Sequence, residues 1–192
     1  MALLILGLIL FLGVHSTRIF ADGWRGATIA RIGPLPWKGL YSVISLLSFV
    51  VLVWGFRQAR HESLVLWVSP NWMRHVTALL MMVSFVLLAA AYVPHNWFKA
   101  RLHHPMVLGV KVWALGHLLA NGALPDVVLF GAFLLWAVLS FSAARRRDRA
   151  AGTVYPPGNA TGTALTVALG LVGWSVFAWL LHGPLIGVRP LG

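Results

Sequence analysis

Histidine is the one residue type in this chain with both the number and the chemistry to build a reactive centre. Eight histidines accompany only four carboxylates, Asp22, Glu62, Asp126 and Asp148, and no cysteine. Without thiols, disulfides, thiolate-held metals and cysteine nucleophiles are excluded. The carboxylates are scattered among expected loops and helix ends, which disfavours paired-carboxylate catalysis and a carboxylate-rich di-metal site. No glycine-rich phosphate loop, G-x-S-x-G elbow or H-E-x-x-H is present. Any metal must therefore sit on nitrogen or oxygen, and imidazole suits haem iron, zinc and copper.

The elements that must position these imidazoles are membrane helices. The chain is 59% hydrophobic and only 10% charged, outside the range of water-soluble domains. Six apolar stretches, 2–20, 38–57, 74–93, 105–120, 126–144 and 162–182, each approach or reach the roughly 20 residues that a helix needs to cross a bilayer. The expectation is an all-α integral membrane protein, a bundle of about six transmembrane helices forming one domain over 1–192. The first stretch lacks a basic segment ahead of it and reads as a retained helix rather than a secretory signal.

Turn signals separate the stretches: Gly33-Pro34-Leu35-Pro36, Ser69-Pro70-Asn71 and Pro94-His95-Asn96. The fourth helix is predicted to open at Pro105 and to close at Asn121-Gly122 in a left-handed cap. Trp97 to His103 reads as an interfacial segment and 150–161 as a polar loop. Gly162, Thr166 and Gly170, four apart, suit close helix packing.

The net charge of +11 and the run Arg145-Arg146-Arg147-Asp148-Arg149 could suggest nucleic acid. In a membrane chain they read instead as cytoplasmic loop charge in contact with lipid headgroups, so no nucleic-acid partner is expected. One set of loops holds Arg18, Arg25, Arg31, Lys38, Lys99, Arg101, Arg145, Arg146, Arg147 and Arg149, the other only Arg57, Arg60, Arg74 and Arg189. By the positive-inside rule both termini face the outer, periplasmic side of a bacterial inner membrane.

This topology sorts the histidines into two layers. His15, His95, His103 and His104 lie toward the cytoplasm, and His61, His75, His117 and His182 toward the outside. His15 is expected about five residues inside the inner end of the first helix. His104 and His117 are thirteen residues apart on one helix, roughly 20 Å in height, so they cannot share a metal. His15 and His104 share a layer, and a haem iron accepts two imidazoles on opposite faces. Lys111, near mid-membrane, costs about 2.5–3.5 kcal/mol if charged there and needs a counter-charge, for which a haem propionate or a lipid or substrate anion would serve; a snorkelling lysine is the structural alternative. Asn121, four residues after His117, would orient that ring or merely cap the helix. The tryptophans, Trp54, Trp67, Trp72, Trp97 and Trp113 among them, are assigned to interfacial belts.

The fourth helix, His104-Pro105-Met106-Val107-Leu108-Gly109-Val110-Lys111-Val112-Trp113-Ala114-Leu115-Gly116-His117-Leu118-Leu119-Ala120-Asn121-Gly122, resembles the signature of the NnrU family, and His15-Ser16-Thr17-Arg18 resembles that family's amino-terminal histidine motif. The likeness in length and helix order covers essentially the whole chain. It implies a bacterial inner-membrane protein associated with denitrification, and a relationship to 15-cis-ζ-carotene isomerase, which binds haem b and isomerises a polyene when the iron is reduced. It also implies His15 and His104 as axial ligands and a supporting or catalytic role for His117. The absence of cysteine departs from the isomerase, because no thiolate can exchange with histidine at the iron.

The reading that follows is a haem b protein with His15 and His104 on the iron, Lys111 and Asn121 beside the cofactor, and His117 with Lys111 as catalytic candidates. If the protein is an enzyme, reduced iron would lower the barrier to rotation in a lipid-soluble polyene. An outer site would use His117 with His75 or His182. The alternative is a non-enzymatic assembly or electron-transfer partner of a respiratory nitrite or nitric oxide reductase.

Overall fold

The computed structural model describes residues 1–61 and 63–190. Glu62, expected in a connection, lies outside the described residues. Among the described residues ten α-helices follow in chain order: α1 (Ala2–His15), α2 (Thr17–Phe20), α3 (Asp22–Ile32), α4 (Pro34–Ala59), α5 (Met73–Tyr92), α6 (Trp97–Leu102), α7 (Pro105–Ala120), α8 (Leu124–Ala151), α9 (Ala160–Val176) and α10 (His182–Ile186), the last two joined by a π-helical turn at Phe177–Leu181. Among the described residues the only extended pairing is one antiparallel bridge, Val65 with Ala123.

The protein is a helical membrane protein. Among the described residues four helices are long and apolar enough to cross a bilayer: α4, α5, α8 and the continuous rod Ala160–Ile186. The remaining two apolar stretches form the shorter α1 and α7, of 14 and 16 residues. Exposed leucines, valines and isoleucines cover the outward faces of α4 and α9 and suit contact with lipid.

Close backbone approach at small residues sets the helix pairs. A Cβ on Gly7 would lie 2.5 Å from the Leu52 Cα, and one on Gly55 2.5 Å from the Leu4 nitrogen, so α1 lies directly on α4. Gly170 meets Val86 in the same manner and fixes α9 on α5, while Gly162 meets the Pro94 and His95 carbonyls and Thr166 is fully buried. The four-residue spacing of these small residues thus does the packing expected of it. α5 pairs with α7, tied by Ser84 Oγ donating to the Gly109 carbonyl at 2.8 Å and Thr77 Oγ1 to the Gly116 carbonyl at 3.0 Å.

Two groups result, α1–α4 and α5–α7–α9, joined by α8, which packs chiefly on α7 and more lightly on α1 and α4. Successive long helices run antiparallel, which leaves α1 and α8 parallel, Phe11 beside Phe133 and His15 beside Trp136. One end of the bundle therefore carries Met1, the α7–α8 turn and α10 (the terminal end), and the other the arginine run of α8 (the basic end).

Three boundaries differ from expectation. α1 stops at His15, because the Ser16 amide donates to the Gly13 carbonyl and the Thr17 hydroxyl to that of Val14. His15 is thus the last residue of its helix rather than one buried five residues inside. α8 runs on to Ala151 and ends at Gly152 in a left-handed conformation, φ +58°, so the arginine run is helical rather than loop. Asn121 is extended, φ −124° and ψ 112°, rather than part of a left-handed cap. Gly122 is needed for a different reason: a Cβ there would lie against the Trp67 carbonyl.

Candidate functional site

A cavity of about 610 Å³ lies between the two helix groups. Its wall is aromatic: Phe11 from α1, Phe49 and Phe56 from α4, Phe85 from α5, Trp113 from α7, Phe130 and Phe133 from α8, Trp174 from α9 and Phe177 from the π turn. Along α5 it runs from Arg74 to Leu88, fourteen residues or about 21 Å of helix. Its polar groups gather at the terminal end, where Arg60, Arg74, His117, Asn121, Asp126, His182 and Arg189 all reach it. This is the form of a site for a long apolar molecule with a polar head.

His117 sits in the last turn of α7, its ring 4.6 Å from Phe130 edge-to-face and 5.5 Å from Trp113. Its Nδ1 is buried with no hydrogen-bond partner, and among the described residues neither ring nitrogen is bonded. Asn121 does not orient the ring; its amide donates to the His117 backbone carbonyl at 2.9 Å and so finishes the helix. His182 approaches from the end of the α9 rod, which packs on α5 and not on α7. The π turn just before it changes the rotation of the rod, a feature frequent at functional sites. Its Nδ1 donates to the Val188 carbonyl at 2.6 Å, which leaves Nε2 as the lone-pair nitrogen. Gly187, at φ +84°, makes the reversal that returns Val188 to His182.

Of the other outer-layer histidines expected as ligands, His75 is exposed and does not line the cavity, although its neighbour Arg74 does. Asp126, 6% exposed, lines the cavity with no hydrogen bond or ion pair to the described residues. Arg60 carries its guanidinium 5.5 Å over the Phe56 ring.

His15 and His104 occupy two further environments. The His15 Nδ1 donates to the Phe11 carbonyl at 2.6 Å, and its ring lies 4.2 Å from that of Phe11, tilted by 31°; Phe11 lines the cavity and His15 does not. Tyr41 and Trp136 complete its surroundings at 5.4 and 6.3 Å. His104 Nε2 lies 2.7 Å from the Asp148 carboxylate, which also accepts the Tyr155 hydroxyl at 3.0 Å. Arg145 donates to His103, whose ring stacks on Tyr155 at 4.2 Å. Burial first and then the Arg145 charge lower the His103 pKa, while burial and the bond to Asp148 raise that of Tyr155. This cluster ties the end of α8 and the following loop to the start of α7. No hydrogen bond or ring contact joins His15 to His104 among the described residues, and neither lines the cavity.

Lys111 belongs to the basic-end side. Its ammonium lies 4.8 Å over the Phe141 ring, and Phe141 is edge-on to His104. The expected common face of His104 and Lys111 is therefore present, with an aromatic ring as the lysine's partner. Among the described residues, no group of three or more histidines or carboxylates has the arrangement of an all-protein metal site.

Sequence reasoning missed Arg60, Asp126 and the aromatic wall, and placed Trp113 in an interfacial belt. Trp113 instead packs at 5.0 Å on Phe130 and 5.3 Å on Phe133, inside the bundle. The spacing of Trp113 from His117, and of Asp126 from Phe130 and Phe133, was the available signal: each set lies on one helical face.

Neither a curated protein nor a solved structure matches the chain. A family model described as NnrU protein matches residues 3–190 of its 192.

Proposed function

The chain belongs to the NnrU family, and from that premise we propose that it is an inner-membrane haem b protein in which His117 and His182 hold the iron inside the aromatic cavity. One observation carries this reading: two imidazoles from elements that do not pack on each other, α7 and the end of the α9 rod, reach the same apolar cavity, each with a ring nitrogen free of protein partners among the described residues. A ligating histidine usually donates its other N–H to a carbonyl, which fixes tautomer and orientation, and the bond from His182 to Val188 is of that kind. The unpartnered nitrogen of His117 is a cost of about 1–3 kcal/mol in an apolar wall, and such a group asks for a functional reason.

The wall fits the cofactor's body and the cavity's end fits its acid groups. The aromatic rings would cover the macrocycle, and Arg60, Arg74 and Arg189 would face the propionates with charge-assisted hydrogen bonds. We prefer this pair to His15 and His104 because Nε2 of His104 is engaged by Asp148 and neither of those residues reaches the cavity. When bound and reduced, haem supplies an electron or electron density. A lipid-soluble polyene to be isomerised and a respiratory reductase partner are the two recipients this reading allows, and a shift of the reduced spectrum on adding a polyene selects the first.

The test is the absorption spectrum of detergent-purified protein, oxidised and dithionite-reduced. A low-spin b-type spectrum in the wild type, lost in His117→Ala and His182→Ala but kept in His15→Ala and His104→Ala, is the expected result. The opposite pattern moves the iron to the basic end. A wild type that stays colourless after haem supplementation removes the haem reading.

A further inference from the structure

Although six helices surround the cavity, the ring they form is not closed. α4 packs on α1, α3 and α8, and α9 packs on α5, α6 and the π turn, but α4 and α9 do not meet. Both nevertheless line the cavity, α4 with Phe49 and Phe56, α9 and its π turn with Trp174 and Phe177. Exposed residues stand in sequence beside the lining ones on both helices: Val53, between Phe49 and Phe56 on α4, is 37% exposed, and Val176, next to Phe177 at the end of α9, 41%. The wall is apolar from the gap inward, and charge appears only at the terminal end, where three guanidiniums meet one carboxylate, Asp126.

We propose that the cavity is filled sideways from the bilayer, through the seam between α4 and α9, by an amphiphile with an apolar body and a carboxylate head. The body slides between the aromatic lips and the head stops at Arg60, Arg74 and Arg189. Three positive groups against one negative select an anionic head, and the length of about 21 Å admits an extended chain or a flat macrocycle. Haem, an apolar ring with two carboxylates, has this chemistry, and so does a long-chain fatty acid. The inference rests on the cavity being the binding site, as in the reading above, and not on iron.

The experiment takes advantage of the absence of cysteine. A Val53→Cys, Val176→Cys double variant, reconstituted in phosphatidylcholine vesicles, is bridged by a flexible bismaleimide; the same protein capped with a monofunctional maleimide is the control. Uptake from the vesicle is followed with two probes, cis-parinarate by energy transfer from the cavity tryptophans and hemin by its absorption. Bridging before the probe is added should slow uptake at least tenfold, while bridging afterwards should leave the bound probe in place.

Ala178→Trp, which narrows the lip of the π turn without a cross-link, should slow uptake in the same direction. In Arg60→Gln the preference for parinarate over its methyl ester should fall by about tenfold or more, the loss of one hydrogen bond to a charged group. Uptake unchanged by both the bridge and Ala178→Trp overturns the lateral route, whatever hemin does. Parinarate uptake that obeys the seam while hemin fails to bind keeps the route and removes the haem reading. Failure of both probes to bind overturns both.

Discussion

Replacing Gly187 by valine tests whether the backbone reversal after α10 prepares His182 as a ligand. Gly187 stands at φ +84°, and its amide donates to the Gly183 carbonyl at 2.8 Å. The left-handed residue turns the chain so that the Val188 carbonyl meets Nδ1 of His182 at 2.6 Å. A left-handed L-residue costs roughly 1–2 kcal/mol, and a β-branched one is a clear outlier there. Gly187 is exposed and a Cβ at this position meets no other atom, so the penalty is one of backbone hand and not of packing. The turn should relax, and His182 should lose the acceptor that sets its tautomer. Loss of such an outer partner usually lowers metal affinity about ten- to hundredfold.

Haem titration followed by absorbance should therefore show weakening of that size in Gly187→Val, with helix content by circular dichroism unchanged. Gly187→Asn should bind nearly as the wild type, since asparagine tolerates the left-handed region. A valine variant that titrates like the wild type would show that the Val188 bond does not prepare the ligand. An asparagine variant as weak as the valine one would show that backbone hand is not the cause.

Lys111→Met should leave haem content unchanged and raise the yield of membrane-inserted protein, because it removes a charge costing about 2.5–3.5 kcal/mol in mid-membrane and gives up one cation–π contact; loss of haem would restore the lysine as a propionate partner. Asp148→Asn should lower thermal stability by about 1.5–3 kcal/mol, since the half-buried carboxylate accepts from both His104 and Tyr155, and an unchanged melting temperature would make this cluster superficial. Gly55→Leu should prevent accumulation of folded protein, because the added side chain meets the backbone of α1 and no rotamer avoids it; normal folding would place α1 elsewhere. The His103 contribution should be complete above the ordinary imidazole value of 6.5 and fade as the pH falls through its lower folded value, so the melting difference between wild type and His103→Asn should shrink on acidification.

The helices were legible because a bilayer forces long apolar runs, and the runs are long here. Their ends were less so. The stretch after His15 continues with Ile19 and Phe20, so hydropathy carries the helix onward, yet the Ser16 amide turns to the Gly13 carbonyl and the Thr17 hydroxyl bonds that of Val14, and the helix stops there. The arginine run misled in the opposite sense: charge ends an apolar window but not a helix, and α8 continues through good helix formers until Gly152. The two histidine layers were readable from topology alone. Which members of a layer face one cavity was not, because that depends on helix rotation, and the π turn before His182 shifts it by an amount that a regular 3.6-residue period does not contain.

The same composition that builds the helix pairs also produces the cavity. Glycine and alanine occupy the faces where α1 meets α4, α5 meets α7 and α9 meets α5, so those pairs approach backbone to backbone. Phenylalanine and tryptophan occupy the faces left over, and they are too bulky for the two groups to close in the same way. A bundle of uniformly leucine-sized side chains would fill its own interior. This chain segregates the smallest and the largest apolar residues onto different faces, and the mismatch leaves a space walled by rings and open between α4 and α9, which do not meet. His117 and His182 project into that space from α7 and from the end of the α9 rod, both of which pack on α5 but not on each other, so a molecule bound between them would bridge two elements that the protein itself leaves apart.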